Sequence, residues 1–129
     1  MPVEFLFLGA SNAASKCKGT NTLPPRSLWR NIAKTARMLD RIREELGAPI
    51  EILSCYRSPD YNACISGARM SQHVQFNAID WRASRGQPAD WLAVAKAIRN
   101  SNKEFLGGIG FYPKQRFIHI DTRGHEANW

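Results

Sequence analysis

The chain has 129 residues with 43% hydrophobic and 10% aromatic content, enough for one compact domain with its own core. Its formal net charge of +7 and isoelectric point near 9.8 favour anionic partners. The longest apolar run, residues 5–10, is far below the ~20 residues needed to span a bilayer, and Met1-Pro2-Val3-Glu4 lacks the basic start of a signal peptide, so neither a membrane span nor a leader is expected.

Residues 1–22 read as an N-terminal arm, rich in Ser, Asn, Gly and Lys after the short apolar patch, and residues 23–129 as the folded domain. Pro24-Pro25 leads into a long helix whose apolar stripe is Leu28, Ile32, Leu39, Ile42 and Leu46, stopped by Gly47 and Pro49. A strand is predicted over residues 50–54, then a loop around Arg57 and a helical turn over residues 62–66. The stretch around Asp80 reads as a second strand. A helix over residues 88–100 follows, with Trp91, Leu92, Ala95 and Ile98 on its apolar face. Gly107-Gly108 opens a hairpin with strands at residues 109–112 and 116–121, joined at Pro113-Lys114-Gln115. The pattern predicts an α+β fold, a small, largely antiparallel sheet flanked by helices.

The basic residues are scattered along the chain without a dense run, and aromatics are not interleaved with them, so nucleic acid is not an expected partner. The cysteines number three, and Cys55 and Cys64 flank Tyr56-Arg57-Ser58; a bridge between them would clamp that loop in an oxidising compartment. Buried free thiols are the alternative, and Cys17 leaves three single bridges open. No Cys-x-x-Cys spacing points to metal binding through sulfur.

The chemistry-bearing residues are His73, Asp80 and His119. Two imidazoles and a carboxylate are the ligand set of an open zinc site, in which three protein ligands leave a fourth position free. In Phe117-Ile118-His119-Ile120-Asp121, strand alternation sends Ile118 and Ile120 to one face and Phe117, His119 and Asp121 to the other. The same rule puts Phe76, Ala78 and Asp80 on one face and Asn77, Ile79 and Trp81 on the opposite one, with His73 arriving from the loop ahead. A carboxylate in an apolar strand needs a partner, and metal coordination is one of the few remedies for its burial. Taken singly, each residue reads as a hydrogen-bonded core Asp or a surface His; together they point to metal. Trp81 and Trp129 read as packing residues.

Ser71-Gln72-His73, then Ala78-Ile79-Asp80, then Gly107-Gly108-Ile109-Gly110-Phe111-Tyr112-Pro113 and Phe117-Ile118-His119-Ile120-Asp121-Thr122-Arg123-Gly124 resemble the zinc D-alanyl-D-alanine carboxypeptidases and murein endopeptidases, whose metal-site fold is shared with hedgehog signalling domains. Tyr56-Arg57-Ser58 resembles the same family's Tyr-Arg-Ser segment, and the likeness runs from about Leu46 to Trp129. One departure stands out. The family pattern usually has glycine three residues after the first histidine, where this chain has Phe76, and a bulky ring there is expected to narrow the cleft or alter specificity.

The resemblance implies zinc held by His73, Asp80 and His119, and zinc-assisted hydrolysis of a peptide bond in the stem peptides or cross-links of peptidoglycan, in the periplasm or outside the cell. Asp121 is the first candidate for the base, with orientation of an imidazole as its alternative role; His125 and Glu126 are further candidates. Arg57 would hold a substrate carboxylate or steady the oxyanion. Ser71 and Gln72 would shape the loop or touch substrate. The basic surface tilts the reading towards an endopeptidase over a carboxypeptidase, acting as a monomer. The competing expectations are a zinc-containing binding module that has lost turnover, which a cleft blocked by Phe76 would support, and a metal-free adaptor for anionic polymers.

Overall fold

The computed structural model describes Cys17 and residues 19–129, so most of the arm expected over residues 1–22 lies outside the described residues. Pro25 is extended and Arg26–Asn31 form a 3-10 turn, anchored by the Trp29 indole N–H donating to the Pro24 carbonyl at 2.9 Å. The expected helix therefore opens as a tighter turn before helix α1 (Ile32–Leu46), a common way to start a helix that lacks a side-chain cap. Helix α1 buries Ile32, Thr35, Met38, Leu39 and Ile42 and stops at Gly47, whose φ of 62° is the left-handed conformation glycine adopts at little cost.

Strand β1 (Ile50–Ser54) is followed by the short helix α2 (Pro59–Cys64), capped by Ser58 Oγ accepting the Tyr61 N–H, with Pro59 in the first turn. Strand β2 (Ala78–Ala83) leads to helix α3 (Pro88–Ser101), which opens with Pro88 and a reciprocal Gln87–Asp90 capping pair. Strands β3 (Gly108–Tyr112) and β4 (Phe117–Asp121) form the expected hairpin, and β5 (Ala127–Asn128) completes the sheet.

The strand order is β1-β2-β4-β3-β5, antiparallel except for β5, which runs parallel to β3 at the edge. This is the expected α+β architecture. Strand β5 was not foreseen, because two residues carry no readable alternation. Arg99 of α3, only 3% exposed, helps hold it by donating to the Gly107 and Ala127 carbonyls and to Asn128 Oδ1. Ile79, Trp81, Ile109, Ile118 and Ile120 project from the sheet into one cluster with Ile32, Met38, Ile42, Trp91 and Ala95 of the two long helices. Apolar side chains thus occupy one face of β2 and β4, and alternation sends their polar residues to the other.

The cysteine pairing differs from expectation. Cys17 is bridged to Cys64, and Cys55 is a buried free thiol. At the end of β1 the Cys55 side chain enters the core, whereas Cys64 closes α2 beside the segment that carries Cys17. That segment is also tied to the Arg57 loop: Asn21 Nδ2 donates to the Tyr56 carbonyl at 3.0 Å and Asn21 Oδ1 accepts the Ser58 N–H at 2.8 Å.

Candidate metal centre and cleft

Antiparallel pairing of β2 with β4 sets Asp80 directly opposite His119 and Ala78 opposite Asp121. His73 comes from the turn between α2 and β2, where its N–H donates to Ser71 Oγ at 3.2 Å and its carbonyl accepts the Arg57 N–H at 3.1 Å. The three side chains expected as ligands are brought together: each offers a donor atom within 4.8 Å of the others, and all are buried.

Asp80 Oδ1 lies between the imidazoles, 3.2 Å from His73 Nε2 and 2.9 Å from His119 Nδ1. A carbonyl only accepts, so the 2.7 Å contact between His73 Nδ1 and the Cys55 carbonyl places a ring proton on Nδ1 and leaves Nε2 as the nitrogen facing Asp80. His119 is held the same way from the opposite nitrogen. Its Nε2 is 2.7 Å from Asp121 Oδ2, which leaves Nδ1 facing Asp80. Two imidazole nitrogens and a carboxylate oxygen thus converge, and the protons those nitrogens donate to Asp80 are what a metal ion would displace. Tetrahedral ligands at zinc distances sit about 3.3 Å apart, so the donors present fit such an ion.

The charges explain the titration behaviour. Burial opposes ionisation of Asp80, but attraction to His73 and hydrogen bonds from both histidines outweigh it and hold the carboxyl far below its usual range. Burial lowers the pKa of His73. It also works against protonation of His119, where hydrogen bonds to Asp121 and Asp80 prevail and push the pKa up. For Asp121 burial is again overcome, chiefly by hydrogen bonds from Arg123 and His119, and ionisation is favoured. The Cys55 thiol is pushed up by burial and then by the Asp80 charge, which keeps it protonated and inert.

Asp121, expected first as a base, is fully buried behind the His119 ring. Oδ1 accepts from the Gly108 N–H at 2.9 Å, the Arg123 N–H at 3.2 Å and Arg123 Nε at 2.9 Å, while Oδ2 accepts from Arg123 Nη2 at 2.7 Å. With these contacts its two oxygens are taken up by Gly108, Arg123 and His119. Of the other base candidates, Glu126 accepts from Arg99 at 3.0 Å and His125 lines a neighbouring groove; neither lines the cleft. Arg57 does line it, with Nη2 3.3 Å from Asp80 Oδ2 and Nε donating to Ser54 Oγ at 3.2 Å. An irregularity between Ile52 and Ser54 in the β1–β2 register sets Ser54 opposite Asp80 and so beneath that guanidinium.

Phe76 has φ 54°, the left-handed backbone that glycine would take without strain, but its ring is fully buried in the core, edge-on to Tyr56 at 5.8 Å. The cleft is not narrowed by it, which corrects the expectation drawn from the missing glycine. The cleft encloses about 450 Å³, and its aromatic wall is Tyr112, Phe117 and Trp129. Trp129, expected to be a packing residue, is 48% exposed with its ring 5.0 Å from that of His119; Trp81 is a packing residue, fully buried against Trp91. The Trp129 indole N–H donates to Tyr112 Oη at 2.6 Å, Tyr112 stacks on Phe117 at 4.4 Å, and the Arg123 guanidinium lies 5.3 Å from the Trp129 ring. Gly110 leaves room for this wall, since a Cβ there would lie 2.7 Å from the Trp129 nitrogen.

Among curated proteins, the chain is 35% identical over 87 residues to the probable peptidoglycan L,D-endopeptidase MepK of Haemophilus influenzae, covering 64% of this chain and 43% of that one. It is 32% identical over 98 residues to the peptidoglycan L,D-endopeptidase MepK of Escherichia coli, covering 70% and 50%. The chain thus spans about half the length of these relatives. No solved structure matches significantly. The family model described as Peptidase M15 matches residues 8–121, nearly the whole sequence and all of the His73, Asp80 and His119 constellation, and the chain belongs to that family.

Proposed function

We propose that this chain is a zinc-dependent peptidoglycan endopeptidase, with His73 Nε2, Asp80 Oδ1 and His119 Nδ1 as the metal ligands. The observation that carries the reading is the convergence of those three atoms, each imidazole having its other nitrogen committed to the Cys55 carbonyl or to Asp121. When bound, zinc supplies Lewis acidity towards a peptide carbonyl and towards water.

The chain's own residues then have definite work. The Cys55 carbonyl and Asp121 fix the tautomers and planes of His73 and His119, and Arg123 holds Asp121 in place from beneath. Asp121 is thereby a positioning residue. Arg57 stands at the mouth on Asp80 Oδ2, where its remaining donors face the scissile carbonyl and steady the oxygen as negative charge develops. Trp129, Tyr112 and Phe117 form one wall against which the peptide backbone lies. An endopeptidase is favoured over a carboxypeptidase because Arg57, the expected anchor of a terminal carboxylate, already spends Nε on Ser54 and Nη2 on Asp80. The relatives' endopeptidase names point the same way. The reading as an inactive binding module loses the blocked cleft on which it leaned, since Phe76 lies in the core.

The test is digestion of purified cross-linked muropeptides by zinc-loaded protein, with mass spectrometry of the products. Cleavage within the cross-linking peptide that stops on chelation and returns with zinc is expected. Intact dimers, or trimming of terminal residues alone, would contradict the endopeptidase reading.

A further inference from the structure

A second groove of about 510 Å³ opens beside the cleft, bounded by the start of α1 and the segment after β4. Gln72 and Arg123 line both depressions, so the two adjoin one another. The groove carries Arg30, Lys34 and His125, all exposed, and among the described residues no acidic one lines it. Other charges near the metal ligands are answered: Asp121 by Arg123, Asp80 by Arg57 and the imidazoles. Among the described residues, by contrast, Arg30, Lys34 and His125 have no ion pair or side-chain hydrogen bond, although Arg37, one turn further along α1, pairs with Glu104. Asn77 Nδ2 donates to Gln72 Oε1 at 2.9 Å, fixing that amide at the junction, and among the described residues nothing accepts from its own N–H donors.

We propose that this groove is a substrate subsite that takes a free carboxylate of the peptide strand whose backbone crosses the metal cleft, with Arg30 and Lys34 as its specificity-determining cations. Unpaired cations on a wall without acids attract an anion, and the shared Gln72 and Arg123 put that anion within the span of one bound peptide. A carboxylate is the group such a peptide brings, and a planar guanidinium and an ammonium both receive it. This rests on the peptidoglycan peptide reading above and adds which chemistry is read beside the scissile bond.

The experiment compares defined peptidoglycan stem peptides with free carboxylates against the same peptides with those carboxylates amidated. Affinity is measured by NMR titration on wild-type protein, on R30Q/K34Q, and on the charge-retaining R30K/K34R. Wild type should bind the free acid about three- to tenfold more tightly than the amide, as expected for two exposed charge contacts. That preference should vanish in R30Q/K34Q, persist in R30K/K34R and shrink as salt is raised. If the peptides are cleaved, R30Q/K34Q should raise KM by the same factor and leave kcat unchanged. Equal binding of acid and amide to wild type, or a preference that survives R30Q/K34Q, overturns the subsite. So does competition by inorganic phosphate with no carboxylate preference, which would make the groove a phosphate site. Carboxylate preference without any peptide cleavage would leave the subsite standing and sink the endopeptidase reading instead.

Discussion

Asp80 and His119 face each other across the β2–β4 ladder, and the register that pairs them brings Asp80 Oδ1 to 2.9 Å from His119 Nδ1. A slip of one residue in that pairing would turn either side chain to the core face, because alternation has a period of two. Sheet register and donor geometry are therefore one constraint, and the behaviour of this site under mutation follows from it.

Substitution at Arg57 should separate positioning from charge stabilisation. Arg57→Ala is expected to lower kcat on a muropeptide by about 10²-fold or more, the usual cost of losing an oxyanion donor, with a smaller change in KM. Arg57→Lys, which keeps the charge but not the fork, should recover only part of the loss. A KM effect alone would mean that Arg57 binds substrate and takes no part in the transition state.

Asp121→Asn should keep the fold, because Asn still offers one acceptor to Gly108 and Arg123, but weaken metal binding by about 10- to 100-fold through the misdirected His119. Asp121→Ala strips the buried acceptor from Arg123 and His119 and should cost about 3–5 kcal/mol of unfolding free energy. Metal competition titrations and urea denaturation measure the two effects separately.

On the acid side, the pH dependence of the metal-free protein has the sign set by its buried carboxylates. Asp80 and Asp121 have folded pKa values below their unfolded ones, so they contribute stability above about pH 4 that is lost as the pH falls below it. Urea midpoints should drop steadily below about pH 4, and Asp121→Asn should flatten that slope. An unchanged slope would mean that Asp121 is not held as a stabilised carboxylate.

At Phe76 two effects compete. Phe76→Gly relieves the left-handed backbone, a gain of about 1 kcal/mol, and removes a fully buried ring, a loss of about 3–5 kcal/mol. The cavity should win, giving a net loss of about 2–4 kcal/mol by chemical denaturation with substrate preference unchanged. A shift in substrate preference at intact stability would instead place the ring's influence in the cleft.

The Cys17–Cys64 bridge closes a separation of 47 residues, and reducing it should cost about 3–4 kcal/mol on chain-entropy grounds. Cys55 should resist alkylation in the folded protein and react only on unfolding, because burial keeps its thiol protonated. Mass spectrometry after iodoacetamide treatment, with and without reductant, reads out both.

Much of the site was legible from residue order because strand alternation is local. It sent His119 and Asp121 to one face and Ile118 and Ile120 to the other, and the structure has that arrangement. Alternation also grouped Phe76 with Asp80, which fails because Phe76 precedes β2 in a turn with positive φ and the two-residue rule applies only within a strand. The Cys17–Cys64 bridge and the Trp129 wall were illegible for a related reason. Each depends on contacts between distant segments, Cys17 reaching α2 and the β5 edge laying Trp129 beside Tyr112, and no local pattern encodes either. The burial of Asp121 behind His119 is likewise set by Arg123 and Gly108, whose approach depends on the β3–β4 hairpin.

The most direct test of the account is zinc stoichiometry by elemental mass spectrometry on chelator-treated, zinc-reloaded and desalted protein, with His73→Ala and the groove variant His125→Ala in parallel. About one zinc per chain in wild type and His125→Ala, and none in His73→Ala, is the predicted result for a three-ligand site. Zinc absent from the wild type, or retained undiminished by His73→Ala, would contradict the assignment of His73, Asp80 and His119 as the metal centre.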